Sequence, residues 1–311
     1  GEGMGSQFLN DLNQADALIH VIDVSGSVNE KGEPVDQGSY DPANDVRFLE
    51  EELDYWYLEI LKKGWEKFAR TIQQTHTQVH KAIGKQLSGL GVDENLCEDV
   101  IKKVGLGSNP VVWTEEELFK LARELRIRTK PMLIAANKID VPGAQEKFEA
   151  LQKEFPDLLI IPCSAESELA LREAAKHELI KYVPGDGSFT LIDGGKVNEK
   201  QKQGLEFIQK NVLDKQENSG VQQVLNAAVF DLLKYKAIFP GGVNNLKDSE
   251  GRTLPDCFLL KGDATALDFA FKLHTDFGKN FIKAINVKTK LPVGKDHLLE
   301  HRDVVEIMVK K

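Results

Sequence analysis

The stretch "PMLIAANKID", Pro131 to Asp140, decides how this chain folds. Its first six residues are apolar without alternation, the pattern of a strand in a parallel sheet covered on both faces. The polar residues that follow then fall at the strand's carboxyl end, where open α/β sheets bind their ligands. Two further runs read the same way, "ALIHVID" (17–23) and "DLLIIPC" (157–163). A helical stretch from Gln145 to Glu154 joins the second and third runs. Another, "SELALREAAKHELIKYV", follows the third with apolar residues at Leu169, Ala170, Ala174 and Leu179. Strand, helix, strand in this rhythm defines an α/β fold.

More than a hundred residues separate the first run from the second, far beyond an ordinary crossover, so an insertion is expected. From Asn44 or Asp45, apolar residues recur at Leu49, Leu53, Trp56, Ile60, Leu61, Trp65, Phe68, Ile72, Val79, Ile83 and Leu87. Spacings of three and four ended by Gly89 predict one long helix with a coiled-coil-like seam. Shorter helices are expected from Asp93 to Gly105 and from the capping box Thr114–Glu117 toward Arg126. Such a hairpin is either a partner-binding arm or a spacer. Beyond Tyr182, "VPGDGSFTLIDGG" marks a turn-rich boundary, a helical region runs from Asn198 to Lys236, and "FPGGVNNLKDSEGRTLP" reads as a domain boundary. The remaining 60 or so residues show a β, α, β, β pattern that fits a ubiquitin-like β-grasp module.

The totals bound the function class. The chain has 311 residues, 41% of them hydrophobic, enough for two or three domains with buried cores. Net charge is −9; residues 251–311 carry 11 basic against 8 acidic groups, so the rest carries −12. That weak positive footprint does not by itself indicate nucleic acid. Cys97, Cys163 and Cys257 form no metal-spaced cluster, no apolar run reaches membrane-spanning length, and no signal pattern opens the chain. A cytoplasmic protein in a reducing setting is expected, with no membrane and no DNA partner. His76 and His80, four apart, lack a third metal ligand.

The chemistry concentrates in "NKID". A carboxylate at Asp140 accepts hydrogen bonds from guanine's ring N–H and exocyclic amine. Adenine would set an acceptor lone pair against it. Such a charged hydrogen bond contributes about 1.5 to 3 kcal/mol, and an unpaired buried partner is penalised as well. Asn137 can donate to the acceptor edge of the base and tie its loop to neighbours, while the aliphatic stem of Lys138 can lie over the purine face. A second element, "CSAES" (163–167), follows the third strand and opens a helix whose free backbone N–H groups point outward. The Ala165 amide could donate to the guanine carbonyl; Ser164 or Ser167 could equally be a plain N-cap. Asp23 and Ser25 in "VIDVSG" read as the cap of a strand end.

The segments "GEGMGSQFLNDLNQADALIHVID", "ANKID", "PCSAE" and "LKGDATALDFAFKLHTDFGKNFIKAIN", in this order, resemble Obg-related GTPases of the YchF-like type over nearly the whole chain. The resemblance implies a partial P-loop NTPase (Rossmann-like) G domain over 1–45 and 129–185 and a helical coiled-coil insert over 46–128. A helical connecting segment over 186–250 and a TGS domain of β-grasp fold over 251–311 would follow. It assigns base recognition to Asn137, Lys138 and Asp140, with Ser164, Ala165 and Glu166 as the second base-contacting loop. It also implies GTP hydrolysis, a ribosome or RNA partner, and Mg2+ with the nucleotide in the intact protein. Some YchF-like proteins carry an altered base motif and prefer ATP; Asp140 is retained here, which favours GTP. The alternative is a ribosome or RNA adaptor without turnover.

No G-x-x-x-x-G-K-[ST] occurs in the chain, and "GEGMG" resembles the Gly-rich continuation of the family's D-x-x-G switch. The phosphate loop, the switches and the magnesium ligands are therefore expected to precede Gly1, the chain being a fragment. No catalytic residue is assigned on it, because phosphoryl transfer rests on those parts.

Overall fold

A computed structural model describes residue 12 and residues 14–192, 197–247, 250–253 and 256–310. The "GEGMG" segment lies outside them. Two compact units result, one ending at Ala228 and one beginning at Val229.

In the first unit the three apolar runs form strands β1 (Leu18–Asp23), β2 (Met132–Asn137) and β3 (Leu159–Cys163), all parallel, in the order β1-β2-β3. β2 is central, and Met132 to Ala136 are all buried, which explains the unbroken apolar run. β1 alternates instead: Leu18 and Ile22 enter the core, whereas Val21 is 61% exposed. Helix α1 (Ala43–Lys62) and helix α6 (Ala144–Glu154) supply Val46, Leu53, Phe148 and Leu151 to the core beneath the sheet. In register, Asp23, Asn137 and Cys163 stand in one row at the strand ends.

His20 lies on β1 with Nδ1 out of reach of water and without a hydrogen-bond partner. Burial pushes its pKa down from 6.5 to about 4. The unfolded chain therefore holds the extra proton between those values, so stability is fully present above pH 6.5 and is lost as pH falls toward 4. Urea unfolding at pH 7 and pH 4.5 is expected to differ by up to about 3 kcal/mol from this residue. His20→Leu should flatten that dependence.

The insertion is helical, but it is not one long helix. α1 stops at Lys62, α2 spans Trp65–Thr75, and α3 spans Val79–Gln86. Gly64 (φ +73°) and His76 (φ +53°) adopt left-handed backbone and break the seam that the apolar spacing predicts. Side-chain periodicity continues across a reversal because each segment turns its apolar face to one shared core; spacing alone does not distinguish that from a coiled coil. α4 (Glu94–Val104) runs between an Asp93 N-cap and a Gly105 C-cap, and α5 (Glu115–Thr129) opens with the capping box at Thr114 and Glu117. The shared core holds Leu61, Ile83, Leu87, Val100, Leu121 and Leu125, with the rings of Trp65 and Trp113 stacked beside it. One ion pair is sealed within: Arg126 Nε donates to Asp54 Oδ1 at 2.7 Å, with the two residues 2% and 3% exposed.

Beyond β3 come α7 (Ala165–Lys176) and a two-stranded hairpin, β4 (Ile180–Lys181) with β5 (Thr190–Leu191). The predicted helical region is present as α8 (Glu199–Ile208), a π-helical stretch (Gln209–Leu213), α9 (Val221–Asn226) and a second π-helical stretch (Ala227–Leu232).

The second unit is a five-stranded sheet in the order β7-β6-β10-β8-β9. Its strands are β6 (Lys236–Pro240), β7 (Phe258–Leu260), β8 (Phe281–Asn286), β9 (Leu291–Val293) and β10 (Val304–Val309). Helix α10 (Ala266–Leu273), capped by Thr265, drops Phe269 into a core of Ile238, Leu260, Ala284, Leu299 and Val305; α11 (Thr275–Lys279) follows it. β6 corrects the sequence reading, which left it within the 186–250 connecting segment. It pairs in antiparallel with β7 across a connection of more than fifteen residues and in parallel with β10 more than sixty residues later, so no tight-hairpin signal marks it locally.

Candidate functional site

The aligned strand ends deliver three loops to one edge of the sheet. The loop after β2 carries Asn137, Lys138 and Asp140, and that after β3 carries Ser164, Ala165 and Glu166. The two are joined directly: the Ala165 N–H donates to Asn137 Oδ1 at 2.9 Å, and the Ile139 N–H to the Cys163 carbonyl at 3.2 Å. Ser164 is buried and caps α7 by accepting from the Ser167 N–H, while Ala165 and Glu166 are exposed at the first turn. In this state the Ala165 amide serves Asn137, the loop-tying role weighed for Asn137 from sequence, rather than an outward ligand.

Lys138 has φ +65°, a left-handed conformation that costs a non-glycine residue about 1 to 2 kcal/mol. Its side chain is held across the sheet edge: Nζ donates to Asp23 Oδ2 at 2.8 Å and to Ser27 Oγ at 3.2 Å. Asp23 also accepts from the Ser25 N–H, the Ser25 hydroxyl and the Ser27 hydroxyl. Burial alone would raise the Asp23 pKa, but the hydrogen bonds from Lys138, Ser25 and Ser27 outweigh it and hold the carboxyl below its ordinary value. With its ammonium anchored, the Lys138 side chain is still 40% exposed.

Asp140 is half-buried in the turn that the Val141 N–H closes on the Lys138 carbonyl. It borders a cleft of about 590 Å³ whose other lining includes Pro142, Gln145, Phe207, Asn211 and Lys215. His76 and His80 fall on either side of a helix break, and among the described residues no three potential ligands assemble around a metal position.

The Asp23, Ser25 and Ser27 set is what sequence reasoning missed. Asp23 and Ser25 were legible only as a strand cap. The available signal was an acid at the carboxyl end of the strand that neighbours the Asn-Lys-x-Asp strand. Its significance needed the β1–β2 register, which a separation of more than a hundred residues hides.

A three-stranded parallel edge with these loops, followed by a β-grasp unit, is the architecture of a nucleotide-binding α/β protein with an appended small domain. Comparison with known proteins agrees. Residues 135–243 match the family described as "Obg-like GTPase YGR210-like, G4 motif-containing domain", and residues 246–309 match the TGS domain. An uncharacterised GTP-binding protein of Methanocaldococcus jannaschii is 46% identical over 99% of this chain and 77% of its own length. The crystal structure of a GTP-binding protein from Pyrococcus horikoshii superposes with a TM-score of 0.78 at 40% identity, over 97% of this chain and 81% of that one. The ribosome-binding ATPase YchF of Bacillus subtilis is 25% identical over 92% of this chain and 66% of its own length. The chain belongs to the Obg-like, YchF-type GTPase family and carries that family's G4-motif and TGS domains.

Proposed function

We propose that the protein binds GTP in preference to ATP and hydrolyses it, with the guanine base read by Asn137, Lys138 and Asp140 and framed by Ser164, Ala165 and Glu166. The observation that carries this reading is the direct tie between the two loops, Ala165 N–H to Asn137 Oδ1, at aligned strand ends. Asn137 then has its Nδ2 donor for the acceptor edge of a purine, and the Asp140 carboxylate meets the ring N–H and amine of guanine. The anchored Lys138 stem covers the face of the base. Mg2+ would accompany the nucleotide's phosphates, and no residue described here is assigned to it.

The protein works, in this reading, on the ribosome or on RNA in the cytoplasm, with the helical insert and the TGS unit as contact surfaces. The name of the Bacillus subtilis relative supports a ribosomal partner, and the same name supports an ATPase as the second reading. Competition of GTP, inosine triphosphate and ATP against a fluorescent guanine nucleotide on the intact protein separates the two. Removing the exocyclic amine should weaken inosine triphosphate about tenfold relative to GTP, and ATP should bind weaker still. ATP equal to or tighter than GTP would establish the ATPase reading instead.

A further inference from the structure

The second base loop is gripped from behind by a segment more than fifty residues later in the chain. Asn218, Ser219 and Gly220 form the break between the helical stretch ending at Gln216 and α9, and they cross the end of β3. The Ser164 N–H donates to the Ser219 carbonyl at 2.8 Å, at the first residue of the loop. The Ser219 hydroxyl donates to Glu168 Oε2 at 2.6 Å, and the two residues are 1% and 3% exposed. Tyr182 donates to the same oxygen at 2.7 Å, and Arg172 to the other at 2.6 Å. Burial opposes the Glu168 charge, but these three donors hold the carboxyl below its ordinary pKa.

Gly220 makes the approach possible. Its φ is +81°, and a Cβ there would overlap the Pro162 carbonyl oxygen and lie 2.7 Å from Cys163 Cα. Its N–H donates to Asn218 Oδ1 at 2.7 Å, which closes the turn. One residue, Ser219, thus bonds the loop through its backbone and the first turns of α7 through its side chain. That double attachment sets where the Ala165 amide, and through it Asn137, stands.

We infer that Ser219, supported by Gly220 and Glu168, is a positioning residue for base selection: it fixes the loop 164–166 against Asn137 and so sets discrimination between guanine and adenine nucleotides. This rests on the base reading proposed above. A residue that merely held the fold together would affect both nucleotides alike.

The test uses the intact protein and three variants, Asp140→Asn, Ser219→Ala and Tyr182→Phe, with GTP and ATP affinities measured on each. Ser219→Ala keeps the backbone bond to Ser164 but releases the side-chain attachment that holds the 218–220 segment to α7, whereas Tyr182→Phe removes a hydrogen bond to the same Glu168 oxygen from a residue outside that segment. Ser219→Ala is expected to lower the GTP-to-ATP affinity ratio about 5- to 10-fold, and Tyr182→Phe to leave it within about twofold. If Asp140→Asn changes guanine preference while Ser219→Ala keeps the wild-type ratio, the positioning role is wrong and the base reading stands. If Asp140→Asn changes nothing, the base reading fails and takes this inference with it. Should Ser219→Ala not fold, amide hydrogen exchange on the wild-type protein decides the matter. GTP should slow exchange at 163–166 and at 219–221 together; protection confined to 163–166 would overturn the inference.

Discussion

Asp140→Asn is expected to exchange the protein's preference for GTP for a preference for xanthosine triphosphate. In the proposed reading the carboxylate accepts two hydrogen bonds from guanine, one from the ring N–H and one from the exocyclic amine. Xanthine carries a carbonyl where guanine carries the amine, so a carboxylate faces an acceptor and repels it. An asparagine in the same place keeps a carbonyl for the ring N–H and offers an amide N–H to the new carbonyl. Each charge-assisted bond is worth about 1.5 to 3 kcal/mol, so GTP affinity should fall about 100-fold and xanthosine triphosphate affinity should rise by a similar factor. Competition binding on the intact protein measures both. Lys138 is held by Asp23 and Ser27 on the far side of its loop, so this substitution should leave the loop's backbone in place.

The second large effect lies in the helical insert. Arg126→Met should destabilise the protein by about 3 to 5 kcal/mol, because it leaves Asp54 buried without its partner. Arg126 also reaches Glu50 at 3.4 Å, and Arg123 approaches Asp54 only at 3.6 Å from a half-exposed position, too far to replace the lost bond. The double change Arg126→Met with Asp54→Leu removes both charges and should recover most of the loss. Chemical unfolding of the wild-type protein and the two variants gives the comparison. A single-variant loss below about 1 kcal/mol would show that water reaches the pair. The pair ties α1 to α5, the two long helices of the insert, so its removal should loosen the insert before the sheet.

What was legible in the sequence divides by distance along the chain. Strands β1 to β3 were readable because each lies in a short, mostly apolar run, unbroken in the central β2, and α4 and α5 because Asp93, Gly105, Thr114 and Glu117 mark their ends within a turn. The breaks at Gly64 and His76 were not readable. The apolar spacing runs through both, and a left-handed histidine leaves no mark in composition. β6 was hidden because neither β7 nor β10, its two partners, is joined to it by a tight turn, and the Pro240-Gly241-Gly242 at its end reads as loop.

The candidate site follows the same rule. Asn137, Lys138, Asp140 and Ser164 to Glu166 lie on short local motifs. Asp23 reaches Lys138 across 115 positions and Ser219 reaches Glu168 across 51, and only the fold brings those residues together. Local chemistry names the groups that would touch a base, while the residues that hold those groups in place come from the register of the sheet and from the segment crossing β3.

The most direct test of the account is a crystal structure of the intact protein with bound GDP. The base should lie at the ends of β2 and β3, with both Asp140 carboxylate oxygens about 3 Å from the ring nitrogen and the exocyclic amine and the Lys138 methylenes against the ring face. A base bound away from this edge, or seated there with Asp140 turned from it, would contradict the assignment.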